Sequence, residues 1–197
     1  MPNAMEQTVR SEPATVRYLT VSDRSKFTVQ AYATGLLSAL GHNPKIAIPG
    51  FEGEVLVDPN TLENSSFRVL IQAASLEVTD DISDKDRQEI NRRMYQEVLE
   101  GDSYPEIVYE CTVASVSKTG EGQYWVALNG ELSLHGVRRS HPVSARVTLT
   151  GDSLRAAGEF SLRQSDYEIK PVSAAGGTVT LKDDLKLTFD ITAHKQS

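Results

Sequence analysis

From Thr15 onward most of the chain alternates apolar and polar residues with a period of two, the spacing that sends successive side chains to opposite faces of a strand. Phe27, Val29 and Ala31 alternate with Lys26, Thr28 and Gln30, and Phe67, Val69 and Ile71 with Ser66, Arg68 and Gln72; Leu70 is the apolar residue out of phase. Further rows are Ile107, Tyr109, Cys111 and Val113, then Val126, Leu128, Gly130, Leu132 and Leu134, then Val143, Ala145, Val147 and Leu149. The clearest comes last: Leu185, Leu187, Phe189 and Ile191. Turn signals separate the rows at Asp58-Pro59-Asn60, Thr119-Gly120-Glu121-Gly122, His135-Gly136, Gly151-Asp152, Gly176-Gly177 and Asp183-Asp184. Parallel strands would need crossovers of about a dozen residues, so these short connections predict an antiparallel meander of about eight strands. Such a meander can close into a barrel, which removes exposed edges and leaves an interior either filled by side chains or able to hold one small ligand. The expected fold class is all-β.

One segment breaks the alternation. In residues 80–102, Ile90, Met94 and Val98 recur every four positions with Leu99 beside them, which predicts an inserted α-helix over about 84–100. Ser83 is the expected N-cap with Asp86 at the capping-box position, and Gly101 is expected to end the helix in a left-handed conformation. The narrow apolar stripe places the helix across the outside of the barrel or over one end. Gly35–Gly41, apolar without alternation, suggests a turn of helix at a barrel rim. Residues 1–13 are polar and read as a loose tail, leaving 14–195 as a single barrel domain.

Composition narrows the partners. With 20 basic against 27 acidic residues the formal charge is -7, which disfavours nucleic acid. One cysteine, Cys111, allows neither an internal disulfide nor a cysteine-rich zinc site, and in a strand it reads as an inert core thiol. No run approaches the roughly 18 apolar residues of a membrane span, and the first residues lack a basic start followed by an apolar stretch. The chain therefore reads as a cytoplasmic protein and not an integral membrane protein.

Signals for catalysis are thin. His42 follows the apolar rim segment and His135 sits at a hairpin tip; brought together they could bind a metal or act as acid and base. Neither H-x-H nor H-E-x-x-H occurs, and turn histidines bonded to backbone are the simpler reading. His141 and His194 are expected to be exposed. Gly101-Asp102-Ser103 and Gly151-Asp152-Ser153 lack the closing glycine of a nucleophile elbow, and Gly120-Glu121-Gly122 is a hairpin turn rather than a dinucleotide loop. Asn64-Ser65-Ser66 fits a glycosylation sequon, which has meaning only on secretion. Arg92 and Arg93 belong to a solvated helix face or meet an anionic head group or membrane surface. No catalytic residue, metal or cofactor is assigned.

Five motifs in order carry a family resemblance. Leu132-Ser133-Leu134-His135-Gly136-Val137-Arg138 with Pro142-Val143 resembles the L-x-L-H-G-V-T-R-P-V hairpin of the YceI-like lipid-binding family. Phe51-Glu52-Gly53-Glu54 with Val57-Asp58-Pro59, Ala73-Ala74-Ser75-Leu76, Tyr104-Pro105-Glu106-Ile107, and Gln164-Ser165-Asp166-Tyr167 with Ile169 are similar to further motifs of that family. The Gly41-His42-Asn43 run and the longer charged helix resemble a subgroup. The resemblance implies a lipocalin-like barrel holding a polyisoprenoid or acyl amphiphile in an internal tunnel. It also implies a second copy of the chain as a partner, since members often form homodimers; many members are exported.

Periodicity alone fits ordinary mutual packing of the inward rows. With the resemblance, those rows become the expected tunnel lining: Phe27, Val29, Phe67, Val69, Tyr109, Val147, Phe160, Leu162, Leu187 and Phe189, with His42 a polar contact at the mouth. The expected function is non-catalytic binding, sequestration or transport of a long apolar chain. The alternatives are a lipid-modifying enzyme using His42 and His135, and a structural protein whose helix docks a partner.

Overall fold

The computed structural model describes residues 15–34, 43–58, 61–171, 173–174 and 179–196. The alternating rows form an eight-stranded antiparallel barrel in which every strand pairs with its neighbours in sequence and the eighth closes on the first. The first three strands are each split. The first runs Val16–Thr20 and Lys26–Gln30, broken by the 3-10 turn Ser22–Arg24; the second runs Lys45–Ala47 and Phe51–Val57. The third runs Ser66–Gln72 and Glu77–Val78 around the 3-10 turn Ala73–Ser75. Unbroken strands follow at Glu106–Gly120, Gln123–Leu134, Val143–Thr150, Ser153–Arg163 and Asp184–Lys195. Closure is made by the pairs Leu187 with Val29, Phe189 with Phe27 and Tyr18 with Lys195.

Hairpin chemistry follows the turn residues. His135 and Gly136 both have positive φ, 51° and 74°, the requirement of a type I′ turn, and the chain doubles back as Val137–Ser140 along the end of the fifth strand. Beside the barrel, Ala33–Thr34, Ser173–Ala174 and Val179–Leu181 form a small three-stranded sheet. Two- and three-residue strands are too short to show alternation, so this sheet was not foreseeable from the rows.

The inserted helix runs Asp84–Arg93 and continues as a π turn over Met94–Val98, in which the Leu99 N–H donates to the Met94 carbonyl five residues back at 2.9 Å. Ser83 caps it as expected, accepting from the Asp86 N–H at 3.1 Å. Its end corrects the expectation for Gly101. The left-handed residue is Glu100, with φ 46°, while Gly101 provides room: a Cβ there would lie 1.9 Å from the Tyr95 ring. The helix lies over one end of the barrel, tied to the third strand by Arg87, which donates to the Val78 and Asp80 carbonyls at 2.6 and 2.9 Å, and by Asn91, which accepts from the Val78 N–H at 2.8 Å.

Two buried clusters form the core. The larger, around Val69, Ile71, Leu132, Leu162, Tyr167 and Leu187, fills the helix end and the barrel wall; the smaller joins Tyr18, Val57, Leu62, Leu154 and Ala193 at the opposite end. The rim segment Gly35–Gly41, His42 and the tail of residues 1–13 lie outside the described residues. His141 and His194 are half-buried rather than exposed, the former because its ring packs edge-on against Phe160 at 5.0 Å.

Candidate functional site

Inside the barrel lies a cavity of about 460 Å³ that reaches from the helix to the opposite end. Ile90, Met94, Val98 and Leu99 roof it; Phe27, Val29, Phe67, Val69, Tyr109, Val147, Phe160, Leu162, Leu187 and Phe189 all stand in its wall. These ten are the expected lining residues, and the structure brings them to one lumen. His42, the eleventh, falls outside the described residues. Alternation missed the floor, where Val55, Val57, Leu62, Ser65 and Leu154 close the lumen. Among the described residues the polar side chains in the lining are Ser65, Ser66, Arg93, Gln164 and the Tyr109 hydroxyl.

The lumen is open because small residues in the inward rows let rings lie back. Tyr109 occupies the place of a side chain at Gly130, where a Cβ would meet its hydroxyl at 2.1 Å, and that hydroxyl donates to the His141 carbonyl at 3.0 Å. Phe189 lies against Gly158 on the neighbouring strand, where a Cβ would meet its ring at 2.7 Å. Ala145 and Ala156 add little bulk on the same side of the barrel. The rings thus line the wall instead of meeting at the axis.

Charge at the helix end is internally matched. Arg93 pairs with Glu97 at 3.2 Å, and Arg92 with Glu89 at 2.7 Å while also donating to Gln96 at 2.8 Å, so both arginines already have partners. Burial pushes the Tyr109 phenol above its ordinary range, with Cys111 adding to the effect, and burial pushes the Cys111 thiol up to about 12. Burial lowers the His141 pKa, opposed by Asp166. Tyr109 and Cys111 therefore stay protonated at neutral pH.

His135 is not in the lining. Its Nδ1 lies 3.1 Å from the Tyr167 carbonyl, which can only accept, so Nδ1 carries the hydrogen. Nε2 is buried without a hydrogen-bond partner, 3.6 Å from a Glu100 carboxylate oxygen, and the ring lies 4.6 Å from Tyr104. The neighbours it shows are those of a structural turn histidine. Among the described residues no group of three or more His, Cys, Asp or Glu could hold a metal ion, and no helix is long and apolar enough to cross a membrane.

Residues 18–193 match the model of the YceI-like domain. The chain belongs to the YceI-like family. Solved structures share the fold at low identity. BcnA of Burkholderia cenocepacia matches with a TM-score of 0.66 and 16% identity, over 88% of this chain and 98% of that one. A polyisoprenoid binding domain from Saccharophagus degradans, implicated in plant cell wall breakdown, matches at 0.66 and 13%, over 92% and 99%. The Campylobacter jejuni YceI protein matches at 0.59 and 18%, over 79% and 87%. Among curated proteins, no sequence matches this YceI-like chain.

Proposed function

We propose that this YceI-like protein binds one long apolar chain, isoprenoid or acyl, lengthwise inside its barrel and carries or sequesters it without turning it over. The observation that supports this most is the continuous apolar wall around a lumen of about 460 Å³, within the range of ligand cavities, roughly 300–1,000 Å³. Family membership and the polyisoprenoid binding of a structural relative point the same way. A dry cavity of roughly 150 Å³ is filled by a six-carbon ring, or about 25 Å³ per carbon. By that measure a lumen of about 460 Å³ accommodates about 18 carbons. Each buried methylene contributes about 0.8 kcal/mol, so affinity rises about fourfold per carbon until the lumen is full.

Turnover is not supported by the lining, whose described side chains include no acid–base pair; His135 lies behind it. The test is extraction with organic solvent and mass spectrometry of protein purified without detergent. A bound long-chain lipid is expected. Protein that is repeatedly empty and also fails to take up a prenyl alcohol probe overturns the proposal.

A further inference from the structure

We infer that Leu62 is the stop that sets how long a chain the barrel accepts. The inference rests on the carrier reading above and adds the residue that limits its ligand.

Leu62 has φ 62°, a left-handed backbone that a bulky side chain rarely adopts. Conformations of this kind persist only where the surroundings over-determine them, and here the surroundings are visible. The Leu62 N–H donates to the Asp58 carbonyl at 3.0 Å, and the Ser65 N–H donates to the Leu62 carbonyl at 3.2 Å. Ser65 in turn is fastened on both sides: its hydroxyl accepts from the Asp58 N–H at 3.1 Å, and its carbonyl accepts from the Val113 N–H on the fourth strand at 2.9 Å. Asp58 and Ser65 are both buried, so these two anchors are set into the end of the barrel.

The effect of that backbone is to deliver one side chain. Thr61 and Glu63 on either side of Leu62 are exposed, whereas Leu62 is 7% exposed and faces the lumen. Tyr18 and Ala193 belong to the same apolar cluster but not to the lining, and they pair across the strands with the lining residues Val55 and Leu154. Leu62 therefore stands, with Val57 and Leu154, where the lumen gives way to a packed apolar cluster. A chain entering from the helix end and running past Phe189 and Val69 meets this floor last, and Leu62 is an apolar floor residue that a turn, not a strand, delivers.

The test is a binding series of straight-chain alcohols from about 10 to 24 carbons against wild type, Leu62→Gly and Leu62→Phe, each checked for a cooperative melt. Glycine suits the left-handed backbone and removes about four carbons of side chain, while phenylalanine adds about three. In wild type, affinity is expected to climb about fourfold per carbon and level off near 18 carbons. The break should move about four carbons longer in Leu62→Gly and about three shorter in Leu62→Phe. A break that stays in place in whichever variants fold, while binding persists, overturns the inference and leaves the carrier reading intact. Wild type that binds no chain of any length overturns both.

Discussion

Replacing Ala145 by phenylalanine distinguishes a hollow barrel from a packed one, because the two give opposite signs for stability. Ala145 is buried, stands in the lumen wall and pairs with Val126 across the strands. Phenylalanine adds about six carbons, or about 150 Å³ at 25 Å³ per carbon. That is roughly a third of the lumen of about 460 Å³, so the longest chain accepted should fall from about 18 carbons to about 12. For an 18-carbon ligand the loss of about six buried methylenes amounts to about 5 kcal/mol, roughly a thousandfold or more in affinity. The ring enters empty space and buries apolar surface there, so the ligand-free protein should melt at the same temperature as wild type or higher.

In a solid interior the same substitution would be overpacking, which costs about 1–3 kcal/mol, a drop of roughly 2–12 °C for a domain of this size. The assays are a thermal melt of lipid-free protein and the chain-length binding series. A lowered melting temperature together with an unchanged length limit would refute the lumen argument. Lost long-chain binding in a protein that melts no lower is the expected pair.

Gly130→Ala should act on the lumen through Tyr109: the new Cβ would lie 2.1 Å from the phenol oxygen, so the ring must leave the wall and give up its 3.0 Å bond to the His141 carbonyl. A stability loss of about 1–3 kcal/mol in urea melts and a shorter accepted chain are expected; unchanged values for both would contradict the packing described. Asp183 is held below the ordinary carboxylate range chiefly by the Ser165 hydroxyl and N–H, at 2.6 and 2.7 Å, with Arg163 adding to the effect. Because its folded pKa is depressed, its contribution is present above about pH 4 and lost as the pH falls through the folded value. Asp183→Asn should therefore be less stable than wild type at neutral pH, and the gap should close in acid; a gap that is the same at both pH values contradicts this. Cys111, buried with its thiol raised to about 12, should react with a thiol reagent near pH 8 only as fast as the protein unfolds, and rapid labelling of folded protein would count against its burial in the fourth strand.

The barrel was legible because strand alternation reports faces directly: with a period of two, Phe27, Phe67, Tyr109 and Leu187 could only share one side of the sheet. Alternation carries no volume, however. The row Val126, Leu128, Gly130, Leu132 reads the same whether the lumen is full or empty, and what decides it is that Tyr109, on the neighbouring strand, lies back over Gly130. Left-handed backbone was illegible for a related reason. Glycine is the sequence signal for it, yet at the helix end Glu100 adopts it, and at the barrel floor Leu62 does. In both places the bonds at that residue are those of its own turn, from the Ser103 and Tyr104 N–H groups to the Glu100 carbonyl and from the Ser65 N–H to the Leu62 carbonyl, and the residue type gives no sign of them. The helix stripe was visible, but its place over an end depended on Arg87 and Asn91 reaching Val78, contacts that spacing along the chain does not reveal.

Wall and ends therefore divide the work of recognition differently. A wall that is mostly apolar gives each carbon a similar gain and says little about where the chain begins or stops, so substitutions there should weaken every long ligand together. The ends hold the asymmetry. At one, the helix is pinned by side chain to backbone bonds and brings Arg93, already paired with Glu97, to the rim of the lumen; at the other, Leu62 points inward between the exposed Thr61 and Glu63. The Leu62 floor offers a polar head only the Ser65 and Ser66 hydroxyls, whereas the helix end offers the charged Arg93. The tail should face Leu62 and the head the helix, and exchanging a tail-end methyl for a hydroxyl on a chain of full length should cost far more affinity than altering the head.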